Sequence, residues 1–361
     1  MKAAVCYEFS KPLVIEDIEI DPPKAGEVQV KVFACAICHS DVHKINGDWG
    51  GDLPMVAGHE AAGVVEAVGE GVTLVQPGDH VVMSLLRACG RCFFCNRGQP
   101  HLCEAEYALT HETRLHSKDG KPIGQGIKVA GFAERAVVDQ SQLVPIPKEV
   151  PLDSASLLAC GVITGLGAVV NTAKVEPGDS VVVIGLGGVG LSAVQGAAIS
   201  GAHPIMALDL VESKLEAGRM FGATHALNAA QGSDVTETVK ALTDGRGADY
   251  VFITVGSPKA VAQGATLTRR GGALVLVGIP DDQAMHALPL AQTVWREQRI
   301  MGSSMGSTRL STQVPQLVSM YQMKRLKLDE LISGRYRLEQ INEAITEMSG
   351  GGALRNVIVF D

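Results

Sequence analysis

Basic residues never gather in this sequence. Its 31 lysines and arginines are outnumbered by 39 acidic residues, the formal net charge is −8, and no cluster of cations offers a face for phosphates, which excludes nucleic acid as a partner. Long apolar runs are missing too: the most hydrophobic stretches are broken by glycine or charge within about ten residues, well short of the roughly 20 needed to span a bilayer. No secretory leader opens the chain, because Met1-Lys2-Ala3-Ala4-Val5 runs straight into an alternating, strand-like segment. These absences set the expectation of a soluble, cytoplasmic protein. Aromatic residues are scarce, at 4 %, whereas glycine is abundant, at 41 residues, a balance suited to an α/β protein with many tight strand-to-helix turns.

At 361 residues the chain exceeds what one hydrophobic core serves, so two domains are expected. The first 150 or so residues read as short strands between turns. Val28 to Val32 alternates, Gly63 to Val68 is a short apolar run, and Pro77-Gly78-Asp79 turns into His80 to Met83. Phe132 to Val138 and Leu143 to Ile146 extend this all-β, barrel-like half. From about residue 155 the pattern changes: apolar runs at Ser180 to Ile184, His203 to Leu208, Tyr250 to Val255 and Ala273 to Val277 alternate with helical stretches such as Gly190 to Ser200 and Glu212 to Phe221. Fully apolar strands alternating with helices predict a parallel sheet covered on both faces. A helix over Leu338 to Met348 and a strand over Asn356 to Phe360 follow, and periodicity alone does not assign them to either domain.

Cysteine carries the most specific local signal. Cys89, Cys92, Cys95 and Cys103 form Cys-x2-Cys-x2-Cys-x7-Cys, and such short gaps let the thiolates turn toward one point, where four sulfurs at about 2.3 Å satisfy tetrahedral zinc. With all four positions filled by protein, no place is left for substrate, so the predicted site is structural. Disulfide pairing is the competing use of these residues, but neighbours this close make poor loop-closing bridges. The other four, Cys6, Cys35, Cys38 and Cys160, lie scattered among apolar or glycine-rich neighbours, as free or metal-bound thiols of a reducing compartment do.

Val181 to Ile184 feeds Gly185-Leu186-Gly187-Gly188-Val189-Gly190, and a predicted helix follows. In this G-x-G-x-x-G the first glycine permits the turn, the second lets backbone approach a pyrophosphate, and the third lets helix pack on strand. The next strand ends in Asp209, 19 residues after Gly190, where a carboxylate accepts hydrogen bonds from the adenosine ribose. The same carboxylate repels a 2′-phosphate, and no arginine follows within nine residues, so NAD is expected over NADP.

Cys38, the Gly58-His59-Glu60 triplet and Cys160 supply a second group of metal-ligand types. A Cys2His set leaves a fourth tetrahedral position open, as a catalytic zinc needs. Separations of 21 and 101 residues show no proximity, and buried core cysteines with a satisfied histidine are the commoner use of such residues.

The stretch Gly58-His59-Glu60-Ala61-Ala62-Gly63, continuing to Gly69 and Val72, resembles the signature of the zinc-containing alcohol dehydrogenases of the medium-chain dehydrogenase/reductase family, for which a Cys2His zinc is established. The four-cysteine run, Cys38-His39-Ser40-Asp41-Val42-His43, Ala159-Cys160-Gly161-Val162-Ile163-Thr164-Gly165, the glycine fingerprint and Leu354-Arg355-Asn356 are similar to the family in order and approximate spacing. The resemblance covers essentially the whole chain. It implies a GroES-like, β-rich catalytic domain over residues 1–160, completed by 305–361, and a Rossmann NAD-binding domain over 161–304. It makes Cys38, His59 and Cys160 the catalytic zinc ligands, with Glu60 a neighbouring carboxylate and Asp41 the partner that fixes the ligand histidine. With the four-cysteine site, two zinc ions per chain are expected.

The resemblance further implies reversible NAD-linked oxidation of a primary alcohol to the aldehyde, with the proton passing to Ser40, through the nicotinamide ribose hydroxyl and on to His43. It places His39, Thr164, Val277 and Arg355 against the cofactor together with Gly185, Gly187, Gly188, Val189 and Gly190, and adds Lys214 as a second ribose contact beside Asp209. Aligning on the metal ligands offers Trp49, Leu85, Ala108 and Ile279 as apolar pocket walls for an aliphatic or aromatic alcohol, with core packing the competing use of each. Residues 104–131 resemble the longer loop of the class I and class III branch, which favours a homodimer over a homotetramer. Trp49 and Tyr107 stand where glutathione-dependent formaldehyde dehydrogenases carry charged residues, which counts against a thiol-adduct substrate. A nicotinoprotein, holding NAD permanently, is the other alternative.

Overall fold

The computed structural model describes residues 1–230 and 234–361, which form two compact units, Met1–Cys160 with Arg309–Asp361, and Gly161–Thr308. In chain order, the elements of the first half that bear on function are β1 (Glu27–Ala36), α1 (His39–Asn46), β2 (Glu60–Val68), β3 (His80–Met83) and β4 (Leu143–Ile146). They are followed by β5 (Val181–Ile184), α2 (Gly188–Ile199), β6 (Ile205–Asp209), β7 (His225–Asn228), β8 (Ala248–Ile253), β9 (Thr268–Leu276) and β10 (Arg299–Gly302), and finally by β11 (Ile332–Tyr336) and β12 (Arg355–Val359).

In the first unit the sheet that carries the chemistry has the order β4-β3-β2-β1-β12-β11, with Arg135–Asp139 also pairing on β1. Strand β1 forms because Val28, Val30 and Val32 alternate with Gln29 and Lys31, so that one face is buried and the other partly wet. Its register fixes the site. Ala36 lies opposite Glu60 on β2 and opposite Val357 on β12, both antiparallel, and the Ile37 amide donates to the Asn356 carbonyl at 2.9 Å. The end of β1 and the beginnings of β2 and β12 are thereby brought to one place. A second six-stranded sheet, which includes Lys2–Cys6, shares the core around Ile18, Met55, Ile123 and Phe132.

The unit is less purely β than its sequence predicts. Helix α1 interrupts it, with only Asp41 and Ile45 buried, so no apolar stripe announces it. Its start is fixed by capping: Cys38 is the N-cap, the Asp41 carboxylate accepts from the Cys38 amide at 3.0 Å, and Gly47 closes the helix in a left-handed conformation.

The second unit is a six-stranded, all-parallel sheet of order β7-β6-β5-β8-β9-β10. Its central strand β5 is apolar throughout and buried, as a strand covered on both faces must be. Neighbours of β5 are β6 on one side and β8 on the other, so the chain reverses its direction of sheet growth there, which is the doubly wound arrangement with its ligand crevice at the strand carboxyl ends. Among the described residues, no single helix is long and apolar enough to cross a membrane.

Candidate active site

Three segments of the first unit bring four donors to one buried group. Cys38 caps α1, His59 precedes β2, Glu60 begins it, and Cys160 ends the Leu157–Ala159 turn; one donor atom from each lies within 4.8 Å of the others. Asp41 organises them. One of its carboxylate oxygens accepts from His59 Nδ1 at 2.8 Å and from the Gly58 amide at 2.9 Å, while the other holds the Cys38 amide. Because a carboxylate only accepts, His59 Nδ1 carries a proton, and Nε2 is the nitrogen left to act as a ligand once it gives up any proton of its own.

That Nε2 has no hydrogen-bond partner, and neither does either oxygen of Glu60, although all three atoms are buried. Orphaned buried polar atoms of this kind demand an explanation. Arg355, at the start of β12, approaches Glu60 with Nη1 at 3.2 Å as an ion pair and donates to the Ile37 carbonyl from the same nitrogen, also at 3.2 Å. The contact with Glu60 is electrostatic and leaves its hydrogen-bonding capacity unused.

The electrostatics of the group are those of a site organised for a cation. The Cys38 thiol is pulled far below its usual range by the donating Cys160 thiol, against its burial and with help from His59. Cys160 is correspondingly pushed up, by that same hydrogen bond and by burial. Burial drives the Glu60 carboxyl up to about 8 despite Arg355. For His59, burial alone would favour the neutral ring, but Asp41 overrules it and raises the imidazole. A dication accommodates two thiolates, a neutral imidazole nitrogen and a carboxylate at once. The residues fit a zinc ion.

The other cysteine set is closer to solvent. Cys89, Cys92, Cys95 and Cys103 are half-buried, free of disulfides, and also gathered within 4.8 Å. Sγ of Cys92 lies 3.8 Å from Sγ of Cys103, about the edge length of a tetrahedron of sulfurs 2.3 Å from a common ion. Backbone amides of Arg91 and Cys92 point at the Cys89 sulfur at 3.5 and 3.3 Å, and the Cys89 amide at that of Cys103 at 3.4 Å. Donation from the Cys95 amide brings Cys92 down to about 6, whereas burial pushes Cys95 up to about 12. This set, too, fits zinc, and with four sulfurs it is closed.

On α1, Ser40 and His43 lie one turn apart on the same side, just after Cys38. His43 Nδ1 donates to Asp48 at 2.6 Å, and its ring stacks on Trp49 with centroids 5.1 Å apart. The sequence did not single out Asp48; the Gly47 helix stop followed by Asp48 was the available signal. His39, the first residue of α1, is exposed. Leu85 and Ala108 belong to the first unit; Ile279 belongs to the second, where it is 60 % exposed.

In the second unit, the glycine fingerprint occupies the β5–α2 turn, with Gly188 and Val189 in the first turn of the helix. A side chain at Gly190 would place its first carbon 1.8 Å from the Gly185 carbonyl, whereas nothing lies within 4 Å of the same position at Gly187. The third glycine is therefore required for packing and the second leaves an open face over the helix N-terminus. Asp209, at the end of β6, accepts from the Leu186 amide at 2.7 Å with one oxygen and from the Leu210 and Val211 amides with the other. Lys214 stands on the next helix, Glu212–Met220, and Thr164 and Val277 are buried.

Residues 24–148 match the family described as the alcohol dehydrogenase GroES-like domain, and residues 188–322 that described as zinc-binding dehydrogenase. The chain is similar to an alcohol dehydrogenase class-3 of Zea mays, 40 % identical across 99 % of this chain and 96 % of the relative. It is also similar to an NDMA-dependent alcohol dehydrogenase of Amycolatopsis methanolica, 38 % identical over 99 % and 98 %. Among solved structures, the benzyl alcohol dehydrogenase of Acinetobacter calcoaceticus superposes with a TM-score of 0.93 at 32 % identity, covering 100 % of this chain and 99 % of that one.

Proposed function

Because the chain belongs to the zinc-type medium-chain alcohol dehydrogenases, we propose that it catalyses reversible NAD-linked oxidation of a primary alcohol, aliphatic or aromatic, to its aldehyde. The observation that carries this reading is the buried convergence of Cys38, His59, Glu60 and Cys160, with Nε2 of His59 left without a hydrogen-bond partner. Bound there, zinc supplies a Lewis acid that stabilises negative charge developing on the alcohol oxygen. NAD supplies the hydride acceptor.

The chain's own residues do the rest. Cys38, His59 and Cys160 are the proposed ligands, Asp41 holds His59 in the tautomer that can ligate, and Arg355 balances Glu60 when that carboxyl is ionised. Ser40 Oγ takes the alcohol proton. His43 Nε2 is the outlet to solvent, since Nδ1 is committed to Asp48. Asp209 is the proposed discriminator of cofactor: it can bond the ribose hydroxyls of NAD and would repel a 2′-phosphate.

A screen of primary alcohols and aldehydes against NAD and NADP, with zinc determined on the same preparation, tests the reading. Turnover with NAD and two zinc ions per chain is expected; turnover of NADP alone, or full activity without zinc, refutes it. A second reading has its own support, since one full-length relative is named for dependence on NDMA: NAD is retained and reoxidised in place. Dinucleotide released on denaturing the purified protein would establish that form. The subunits are proposed to pair as a homodimer, because Met285, Leu290, Val294 and Trp295 are exposed in the segment that leads into β10, the end strand of its sheet, with Trp295 80 % accessible.

A further inference from the structure

Arg87, two residues before the four-cysteine lobe, is 6 % exposed and has no carboxylate partner among the described residues. Its Nε donates to Gln142 Oε1 at 2.8 Å and Nη1 to Thr110 Oγ1 at 3.2 Å, while Nη2 is buried with no partner. A guanidinium keeps its charge inside a protein, and a buried charge without a counter-charge destabilises the fold. Of the carboxylates that attract it from a distance, Glu27 is spent on Arg114 in a two-point ion pair, while Asp139, which accepts from the amide and hydroxyl of Ser141, makes no ion pair with Arg87. Neither carboxylate touches Arg87, and a further negative charge nearby would complete its offset.

The four-cysteine lobe offers one. The guanidinium lies over the Tyr107 ring at 5.3 Å, and the Tyr107 hydroxyl is 3.8 Å from Sγ of Cys103. Four thiolates around one zinc carry a net double negative charge. We propose that Arg87 is the counter-charge of the zinc-loaded lobe, a positioning residue that acts on it across Tyr107. The proposal rests on the reading of that lobe as a zinc site and on the permanent charge of arginine.

Gln142 holds the guanidinium in place. Fully buried, it accepts from Arg87 and from the Asp139 amide with its oxygen, and donates to the carbonyls of Ser84 and Lys128, at 2.8 and 3.0 Å, with its nitrogen. Every hydrogen-bonding position of the amide is used, so it cannot turn over. Arg87 is thus locked at one distance from the lobe.

The test is site-resolved zinc retention. Zinc-loaded protein is challenged with excess chromophoric chelator, and alkylation of each cysteine by iodoacetamide is followed by peptide mass mapping. In Arg87→Gln, Cys89, Cys92, Cys95 and Cys103 should become reactive about 10- to 100-fold faster than in the wild type, the usual loss when an outer partner of a metal site is removed. Arg87→Lys, which keeps the charge and loses the fork, should stay near the wild-type rate. Arg87→Met is the second uncharged variant, since a buried ion replaced by an apolar side chain of similar length commonly leaves the fold intact or firmer; it should release zinc as Arg87→Gln does. Wild-type rates in either uncharged variant, or an Arg87→Lys as fast as Arg87→Gln, overturn the proposal. Wild-type lobe cysteines that are alkylated at once, without chelator, would instead overturn the zinc reading beneath it.

Discussion

The four-cysteine lobe and the Cys38–His59–Glu60–Cys160 group stand in the same unit and both rely on thiolates, yet they are built in opposite ways. The lobe draws its donors from 15 consecutive residues, Cys89 to Cys103, half-exposed and aimed by neighbouring amides. The other group is fully buried, takes its donors from segments far apart in sequence, and leaves an imidazole nitrogen and two carboxylate oxygens unsatisfied. A local site of one donor type can form with its own loop and fasten it. A dispersed site of mixed donors exists only after the sheet has closed, and its incomplete satisfaction is what leaves room for chemistry.

Replacing one cysteine in each set is the strongest way to break this comparison. Cys160→Ser should lower kcat by about a thousandfold or more, since a Lewis acid contributes several kcal/mol, while the thermal midpoint changes little. Cys95→Ser should do the reverse, with several kcal/mol of unfolding free energy lost and early proteolysis between residues 89 and 103; equal kinetic and stability effects in the two variants would erase the distinction.

Burial at the dispersed site sets up a third expectation. In metal-free protein the Glu60 carboxyl, at about 8, lies above its ordinary 4.5, so the folded state holds a proton that the unfolded chain releases, and stability falls as pH rises through that window. Glu60→Gln carries no such proton. Its unfolding free energy relative to metal-free wild type should therefore rise by a few kcal/mol between those pH values; parallel curves would show the carboxyl to be ionised throughout. The smallest effect is expected at the edge of the site. His43→Gln should lower alcohol oxidation by about a hundredfold or less, because water can bypass a proton outlet near solvent, and imidazole buffers should restore part of the rate. Stopped-flow oxidation with and without imidazole measures this, and an unchanged rate would remove His43 from the path.

The contrast between the sites also decides what could be read from sequence. The four-cysteine ligands are legible because their spacing is their geometry, and so is the G-x-G-x-x-G turn, whose glycines answer local steric needs such as the contact of Gly190 with the Gly185 carbonyl. Strands β3 and β4 fall where the apolar runs place them, His80–Met83 and Leu143–Ile146. Helix α1 was invisible to periodicity because its start is fixed by capping. Cys38, His59 and Cys160 could be grouped only through family resemblance, since the register of β2 against β1, not any local pattern, brings two of them together. Arg87 with Gln142, and Glu60 with Arg355, have no signature in the sequence for the same reason: each pair spans elements that meet only in three dimensions.

The place of β12 has a consequence for how the protein is made. This strand holds the interior of its sheet, pairing with β1 on one side and β11 on the other, but it is synthesised more than 300 residues after β1. At about 5–20 residues per second on the ribosome, the Ala34–Ala36 end of β1 waits on the order of tens of seconds for β12, while the second unit, being continuous in sequence, can fold as soon as it emerges. During that wait the Ala34–Ala36 end of β1 is unpaired on one edge, although Arg135–Asp139 already covers the rest of that edge, and Glu60 lacks its arginine. A nascent chain stalled just short of Arg355 should therefore be the form that most needs a chaperone, and Cys38 and His59, though made early, are held in a finished site only when β12 arrives.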